Sequence, residues 1–142
     1  MSFLDLSNEN LDDAKEPKCV DEGEYTLSIT DWKTDEEGKV EKRDLNDNPF
    51  IMPVLEVIEC EEAEYAKPIT HFLRLPYPEM SKKDRNDAQW NLKCFFDAFE
   101  IDYTQRLDFD ETLGKTCEAL LTVQPDTGYG EQNRVQRFIN PR

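Results

Sequence analysis

Alternation of apolar and polar residues, the pattern of a half-buried β-strand, recurs along this chain. Together with segment 50–60, which is apolar on both faces, it predicts five strands, near residues 24–33, 50–60, 69–75, 116–123 and 133–140. In the first segment, Tyr25, Leu27 and Ile29 fall in one phase, whereas Trp32 falls in the polar one. Pro53 within the second segment indicates a sheet edge or a β-bulge, because proline has no N–H to donate to a neighbouring strand.

One segment, near residues 82–99, has the periodicity of an α-helix. Ser81 is a good N-cap residue, and Asp84 three residues later makes an approximate capping box. Apolar residues at spacings i, i+3, i+4 and i+7 should form the buried face of this helix. They are Leu92, Phe95, Phe96 and Phe99.

The predicted order is three strands, one helix and two strands, which indicates a mainly β (α+β) fold. We expect a five-stranded OB-fold-like barrel with one helix between strands 3 and 4. Residues 34–48 form a long charged first loop, and the Gly- and Pro-containing segment 125–130 forms a long last loop within a terminal hairpin. The first 22 residues are expected to be an acidic arm, and residues 23–142 the OB-fold-like domain.

The composition combines strong acidity with many aromatic residues. There are 32 acidic and 17 basic side chains, for a net charge of −15, together with eight Phe, five Tyr and two Trp. Disordered chains are poor in aromatic residues, so a folded domain is expected. The acidity disfavours nonspecific contact with polyanions, but it does not forbid a local positive groove. The last ten residues hold three arginines and no acidic residue.

The sequence gives little support for an enzyme, a metal site or a cofactor. His71 is the only histidine, and a structural role is expected for it. The four cysteines have no zinc-like spacing, so free thiols in a reducing compartment are expected. The acidic residues of segment 59–64 are interpreted as a solvated connection. Gly128 and Gly130 are not followed by the Lys-Ser/Thr pair of a phosphate-binding loop.

Aromatic and basic residues are interleaved in a way that suits single-stranded nucleic acid, where bases stack on rings and phosphates pair with Lys or Arg. The residues expected in such an interface are Trp32, Lys33, Lys42, Arg43, Phe50, Phe72, Arg74, Tyr129, Arg134 and Arg137. For Trp32, Phe50 and Phe72 a place in the core is the open alternative. Tyr129 lies between two glycines, and we expect its ring to be exposed at a hairpin tip.

Several ordered pieces of the sequence are similar to a family of small bacteriophage single-stranded-DNA-binding proteins with an OB-fold. The pieces are Met1-Ser2-Phe3-Leu4-Asp5-Leu6, Glu16-Pro17, Glu22-Gly23-Glu24-Tyr25, Lys67-Pro68-Ile69, Phe99-Glu100-Ile101-Asp102, Gly114-Lys115-Thr116 and Tyr129-Gly130-Glu131-Gln132-Asn133-Arg134-Val135. The resemblance implies sequence-nonspecific binding of single-stranded DNA in phage replication or recombination, in the host cytoplasm. It also implies phage or host replication and recombination proteins as partners, with the acidic arm as a candidate contact segment.

The alternative is a non-enzymatic phage virion or assembly protein that binds protein partners through the same barrel. The net charge of −15 favours this alternative. No apolar run reaches the length of a membrane span, and the first residues lack the basic and apolar regions of a signal peptide, so no membrane partner is expected. Self-association to a homo-oligomer stays open.

Overall fold

The computed structural model describes residues 2–125, 128 and 130–141. Within them the chain forms, in order, β1 (Gly23–Trp32), β2 (Lys42–Arg43), β3 (Pro49–Ile51), β4 (Pro53–Ile58), β5 (Ile69–Thr70), β6 (Leu73–Arg74), α1 (Lys82–Ala98), α2 (Phe109–Thr112), β7 (Thr116–Gln124) and β8 (Gln132–Phe138). Neither helix in this part of the chain is long and apolar enough to cross a lipid bilayer.

Five strands form one antiparallel sheet in the order β5-β4-β1-β7-β8. The longest strand, β1, lies at the centre and pairs with β4 on one side and β7 on the other. The two edge strands, β5 and β8, lie against each other, so the sheet curls into a nearly closed barrel. The prediction of a mainly β fold with a five-stranded barrel and one long helix is confirmed at this level.

A β-bulge changes the phase of β1. Leu27 and Ile29 face the core, and Ile29 opposes Leu55 of β4. The register then shifts between Ile29 and Asp31, which returns Trp32 to the inward face, where it is buried. The prediction that Trp32 lies in the polar phase is therefore wrong. Simple alternation does not allow for the extra residue that a bulge inserts.

The predicted second and third strands each divide between two sheets. The second is interrupted at Met52 and becomes β3 and β4, and the third is interrupted at His71 and Phe72 and becomes β5 and β6. Pro53 begins β4, a position where a missing N–H costs little, and its carbonyl accepts a hydrogen bond from the His71 N–H (3.1 Å). Strands β3 and β6 join β2 in a three-stranded sheet of order β2-β3-β6 beside the barrel.

Helix α1 packs its phenylalanine-rich face into the barrel. The Ser81 hydroxyl caps its first turn by accepting a hydrogen bond from the Asp84 N–H (3.1 Å). Phe95, Phe96 and Phe99 are buried, as their spacing predicts, whereas Leu92 is half-buried. The cap and this apolar stripe place α1 within about one residue of the bounds expected from the sequence.

Phe95 is the centre of an aromatic cluster that joins α1 to the rest of the molecule. Its ring centroid lies 6.0 Å from that of Trp32 on β1, 5.3 Å from that of Phe138 on β8, and 6.4 Å from that of His71. The indole N–H of Trp32 donates a buried hydrogen bond to the Thr112 hydroxyl of α2 (2.7 Å). The cluster therefore fastens both helices to the barrel.

The N-terminal arm has little regular structure apart from a 3-10 turn, Leu11–Asp13. Its end is held on the barrel by Asn133 of β8. The Val20 N–H donates to Asn133 Oδ1 (2.8 Å), and Asn133 Nδ2 donates to the Val20 carbonyl (2.8 Å). Val20 is buried, whereas Phe3 and Leu4 near the start of the arm are exposed.

Replacing Thr112 by valine should destabilise the protein by about 1–3 kcal/mol, because the buried Trp32 N–H loses its acceptor. In a Trp32→Phe background the same replacement should cost less, since no indole N–H is left unpaired. Denaturant unfolding of the two single variants and the double variant measures this coupling. An equal cost in both backgrounds would show that the hydrogen bond contributes nothing to stability.

Candidate nucleic-acid interface

A cross-strand row of basic and aromatic residues runs over the small sheet. Phe50 of β3 pairs with Lys42 of β2 on one side and with Arg74 of β6 on the other. Residues directly opposite in a sheet project from the same face. The next pair along, Ile51 with Leu73, is buried against the core. The row Lys42–Phe50–Arg74 therefore projects from the outer face of the sheet.

Phe72 adds a second ring to this row. The ring centroids of Phe50 and Phe72 lie 4.9 Å apart with planes inclined by 36°. Phe72 is 48% exposed and Phe50 is half-buried. Lys42 Nζ lies 5.8 Å from the centroid of the Phe50 ring, within the range of a cation–π contact. We call Lys42, Phe50, Phe72 and Arg74 the sheet platform.

Other predicted interface residues do not join the sheet platform. Trp32 is buried in the Phe95 cluster, so its ring belongs to the core and is not open to a base. Arg43 follows Lys42 and points to the other side of β2. Its guanidinium donates to the Asp47 carbonyl (3.2 Å) and lies 3.8 Å from the Glu41 carboxylate. Lys33 is exposed just beyond the end of β1.

The two predicted arginines of β8 are both exposed. Arg134 opposes Thr122 of β7. Its Nη1 and Nε donate to the side-chain oxygen of Gln124 (3.0 and 3.2 Å) when that amide is oriented toward it. Arg137 borders a groove between β8 and α1. The expectation for Tyr129 lies outside the described residues.

The groove between β8 and α1, which we call the helix groove, has a volume of about 350 Å³. Its lining comes from His71 and Phe72, from Trp90, Asn91 and Cys94 of α1, and from residues 135–138 of β8. Trp90 is 61% exposed and was not among the residues predicted from the sequence. Its position outside the apolar stripe of α1 was the available indication that it faces solvent.

His71 forms part of the wall between the helix groove and the core. Its ring lies edge-on to Phe138 with centroids 4.9 Å apart. Burial, with a smaller contribution from the positive charge of Arg134, lowers the pKa of His71 to about 4. The side chain is therefore neutral at neutral pH, in keeping with a structural role.

Another cleft has acidic walls. Segment 56–66 lines a cleft of about 640 Å³ whose walls include Glu56, Glu59, Glu61 and Glu64. Within the described ranges, no three His, Cys, Asp or Glu side chains are grouped so as to hold a metal ion. All four cysteines are free thiols, and burial raises the pKa of Cys117 to about 12, so that thiol stays protonated.

Comparison of the sequence with protein-family models and with curated proteins gives no match. The residues themselves are therefore the basis for any functional assignment.

Stability should fall as the pH drops from about 6.5 to about 4, in part because the unfolded state binds a proton at His71 more readily than the folded state does. Carboxylates titrate in the same range, so the comparison needs a variant. His71→Gln should show a shallower loss of unfolding free energy across this interval, measured by urea denaturation. Parallel pH profiles for the two proteins would mean that His71 does not contribute.

Proposed function

We propose that this protein binds single-stranded DNA without sequence preference, using the sheet platform. The observation that carries the proposal is the row Lys42–Phe50–Arg74, with the Phe72 ring beside it, on the outer face of the small sheet. Aromatic rings that stack on bases, interleaved with cations that pair with phosphates, are what proteins use to hold single strands.

Each platform residue has a distinct role in this proposal. Phe72 offers its ring to a base, and Phe50 supports Phe72 from the side. Lys42 and Arg74 stand on either side of Phe50 and neutralise phosphates that flank the stacked base. Stacking does not distinguish one base from another, because every base has a π-face. Binding needs no catalytic group.

We also propose that the barrel is an OB-fold. The sheet order supports this, because the split strands β3–β4 and β5–β6 act as the second and third strands of a five-stranded barrel. β5 then lies beside β8, as closure requires. The OB-fold binds oligonucleotides on the face of strands 2 and 3 and with its first and last long loops. The sheet platform lies on the extension of those strands, next to the first loop.

The charge distribution determines how such a protein would engage DNA. With a net charge of −15, the whole molecule repels a polyanion at long range. Binding then depends on short-range contacts at the sheet platform, and it should be sensitive to the loss of any one cation. We further propose DNA replication or recombination in an infected cell as the setting, which is what the similarity of the sequence pieces to phage single-stranded-DNA-binding proteins implies.

Phe72→Ala should weaken binding of an unstructured oligonucleotide by about 1–3 kcal/mol, because it removes a stacking surface. Tyr65→Ala is the matched control, since Tyr65 is similarly exposed (55%) but lies in the acidic segment 56–66. Fluorescence anisotropy of a labelled oligonucleotide measures both variants. Equal affinity for Phe72→Ala and the parent protein would remove the sheet platform from the binding site.

Affinity should also fall with salt, by a slope of roughly −0.7 per phosphate contact on a log–log plot. Arg74→Ala should make that slope shallower by about one contact and weaken all sequences alike. Arg106→Ala is the control, because Arg106 is exposed in a cleft with Asp108 and Asp110. A salt-independent affinity would contradict the proposed electrostatic contacts.

A second candidate function is supported by the arm. Phe3 is 89% exposed, and Leu4 and Leu11 are exposed as well, among several acidic residues. Exposed apolar side chains in such a segment suit contact with another protein. If no oligonucleotide binds even at low salt, a virion or assembly protein that binds protein partners becomes the better assignment.

A further inference from the structure

The helix groove begins where the sheet platform ends. Phe72 belongs to both, since its ring packs on Phe50 of the sheet platform and also lines the helix groove. A single DNA strand with a base stacked on Phe72 would therefore reach the helix groove next, between α1 and β8. This continuity makes the helix groove the natural extension of any ligand path over the sheet.

The side chain that dominates the helix groove is an indole held out of the core. Trp90 is 61% exposed, whereas the other tryptophan, Trp32, is buried and hydrogen-bonded. The apolar stripe of α1 runs through Phe95 and Phe99, and Trp90 lies outside it, beside the groove-lining residue Asn91. An exposed indole next to a cleft is a large flat surface available to a planar ligand.

The charge of the helix groove differs from that of the molecule as a whole. No aspartate or glutamate contributes to its lining, and Arg137 contributes a positive charge. Four other clefts in the described part of the chain each have at least one carboxylate in their walls. In a chain with 32 acidic residues, this is a groove in which no carboxylate of the lining opposes a phosphate at contact distance.

The rim of the helix groove carries two amides, Asn91 and Gln136, both exposed. An amide side chain offers donors and an acceptor, so it can pair with the edge of any base. The set of groups is thus an indole, a guanidinium and two adaptable amides, which matches the ring, the phosphate and the polar edges of a nucleotide.

We propose that the helix groove binds a second stretch of the same single strand, with a base stacked on Trp90 and a phosphate paired with Arg137. The proposal rests on the function assigned to the sheet platform and extends it, so that the strand passes over Phe72 from the sheet onto α1. The ligand class is an unpaired nucleotide within a longer strand.

Trp90 itself reports on the proposal. Titrating the protein with an unlabelled homopolymeric oligonucleotide of about 16 nucleotides, the upper end of the range for one OB-fold, should quench tryptophan fluorescence. The quenching should follow the same binding curve as the anisotropy of the labelled oligonucleotide. Trp90→Phe should bind nearly as well as the parent but show almost no quenching, because Trp32 is buried.

Two further variants test the energetics. Trp90→Ala should weaken binding roughly 5- to 150-fold, the equivalent of one lost stacking surface, with an unchanged melting temperature. Arg137→Ala should make the salt slope shallower by about one contact. Tyr65→Ala and Arg106→Ala serve as controls and should leave both properties unchanged. Inorganic polyphosphate, which has charge but no bases, should not quench Trp90.

The outcomes separate this inference from the proposed function. If Phe72→Ala weakens binding but Trp90→Ala does not, and Trp90 fluorescence stays constant, the strand leaves the protein before the helix groove and the inference fails alone. Equal quenching by polyphosphate would also overturn it, because Trp90 would then be sensing charge and not a base. If no readout detects an oligonucleotide, both proposals fail together.

Discussion

The packing around Phe95 is the interaction on which the rest of the structure depends. This ring touches side chains from β1, from β8 and from the link between β5 and β6, so one residue connects the helix to three parts of the sheet. Burying this face of α1 fixes the rotation of the helix about its axis. The orientation of Trp90 toward the helix groove follows from that rotation, as does the position of His71 at the groove wall.

A second constraint is the net charge of −15. Four glutamates line the cleft of segment 56–66, and carboxylates also lie near the small sheet, where Glu41 approaches Arg43 (3.8 Å) next to Lys42. A net charge of this sign does not attract a polyanion, so the DNA strand of the proposed function would be held by contacts at short range. High net charge also keeps an aromatic-rich chain from associating with itself at random.

Much of the fold follows from periodicity, and the departures arise from pairing between strands that are distant in the sequence. The alternation in β1 and the spacing of Phe95, Phe96 and Phe99 are features of neighbouring residues, so the sequence predicts them well. The bulge after Ile29, which buries Trp32, depends on pairing with β4 and is invisible in the sequence. The sequence also gives no sign that the chain passes from the three-stranded sheet to the five-stranded sheet at Met52.

The candidate site shows the same division. That Phe50, Phe72 and Arg74 could share a surface was predictable from type and phase, but their alignment with Lys42 depends on the register of three strands. Trp90 was not predicted as a site residue, because helical periodicity identifies the buried face of α1 and Trp90 lies outside that face. A bulky ring outside the stripe is the complementary pattern, and its position predicts that it is exposed, as Trp90 is.

The barrel is joined at β5 and β8 by packing, because the backbone ladders of the described residues link β5 only to β4 and β8 only to β7. The line of contact between β5 and β8 is therefore held by side chains. Across this line the His71 ring lies edge-on to Phe138 of β8, with centroids 4.9 Å apart. His71, which follows β5 directly, lines the helix groove with residues 135–138 of β8. Side-chain packing, and not a backbone ladder, therefore sets the spacing between the two sides of the helix groove that His71 and β8 provide.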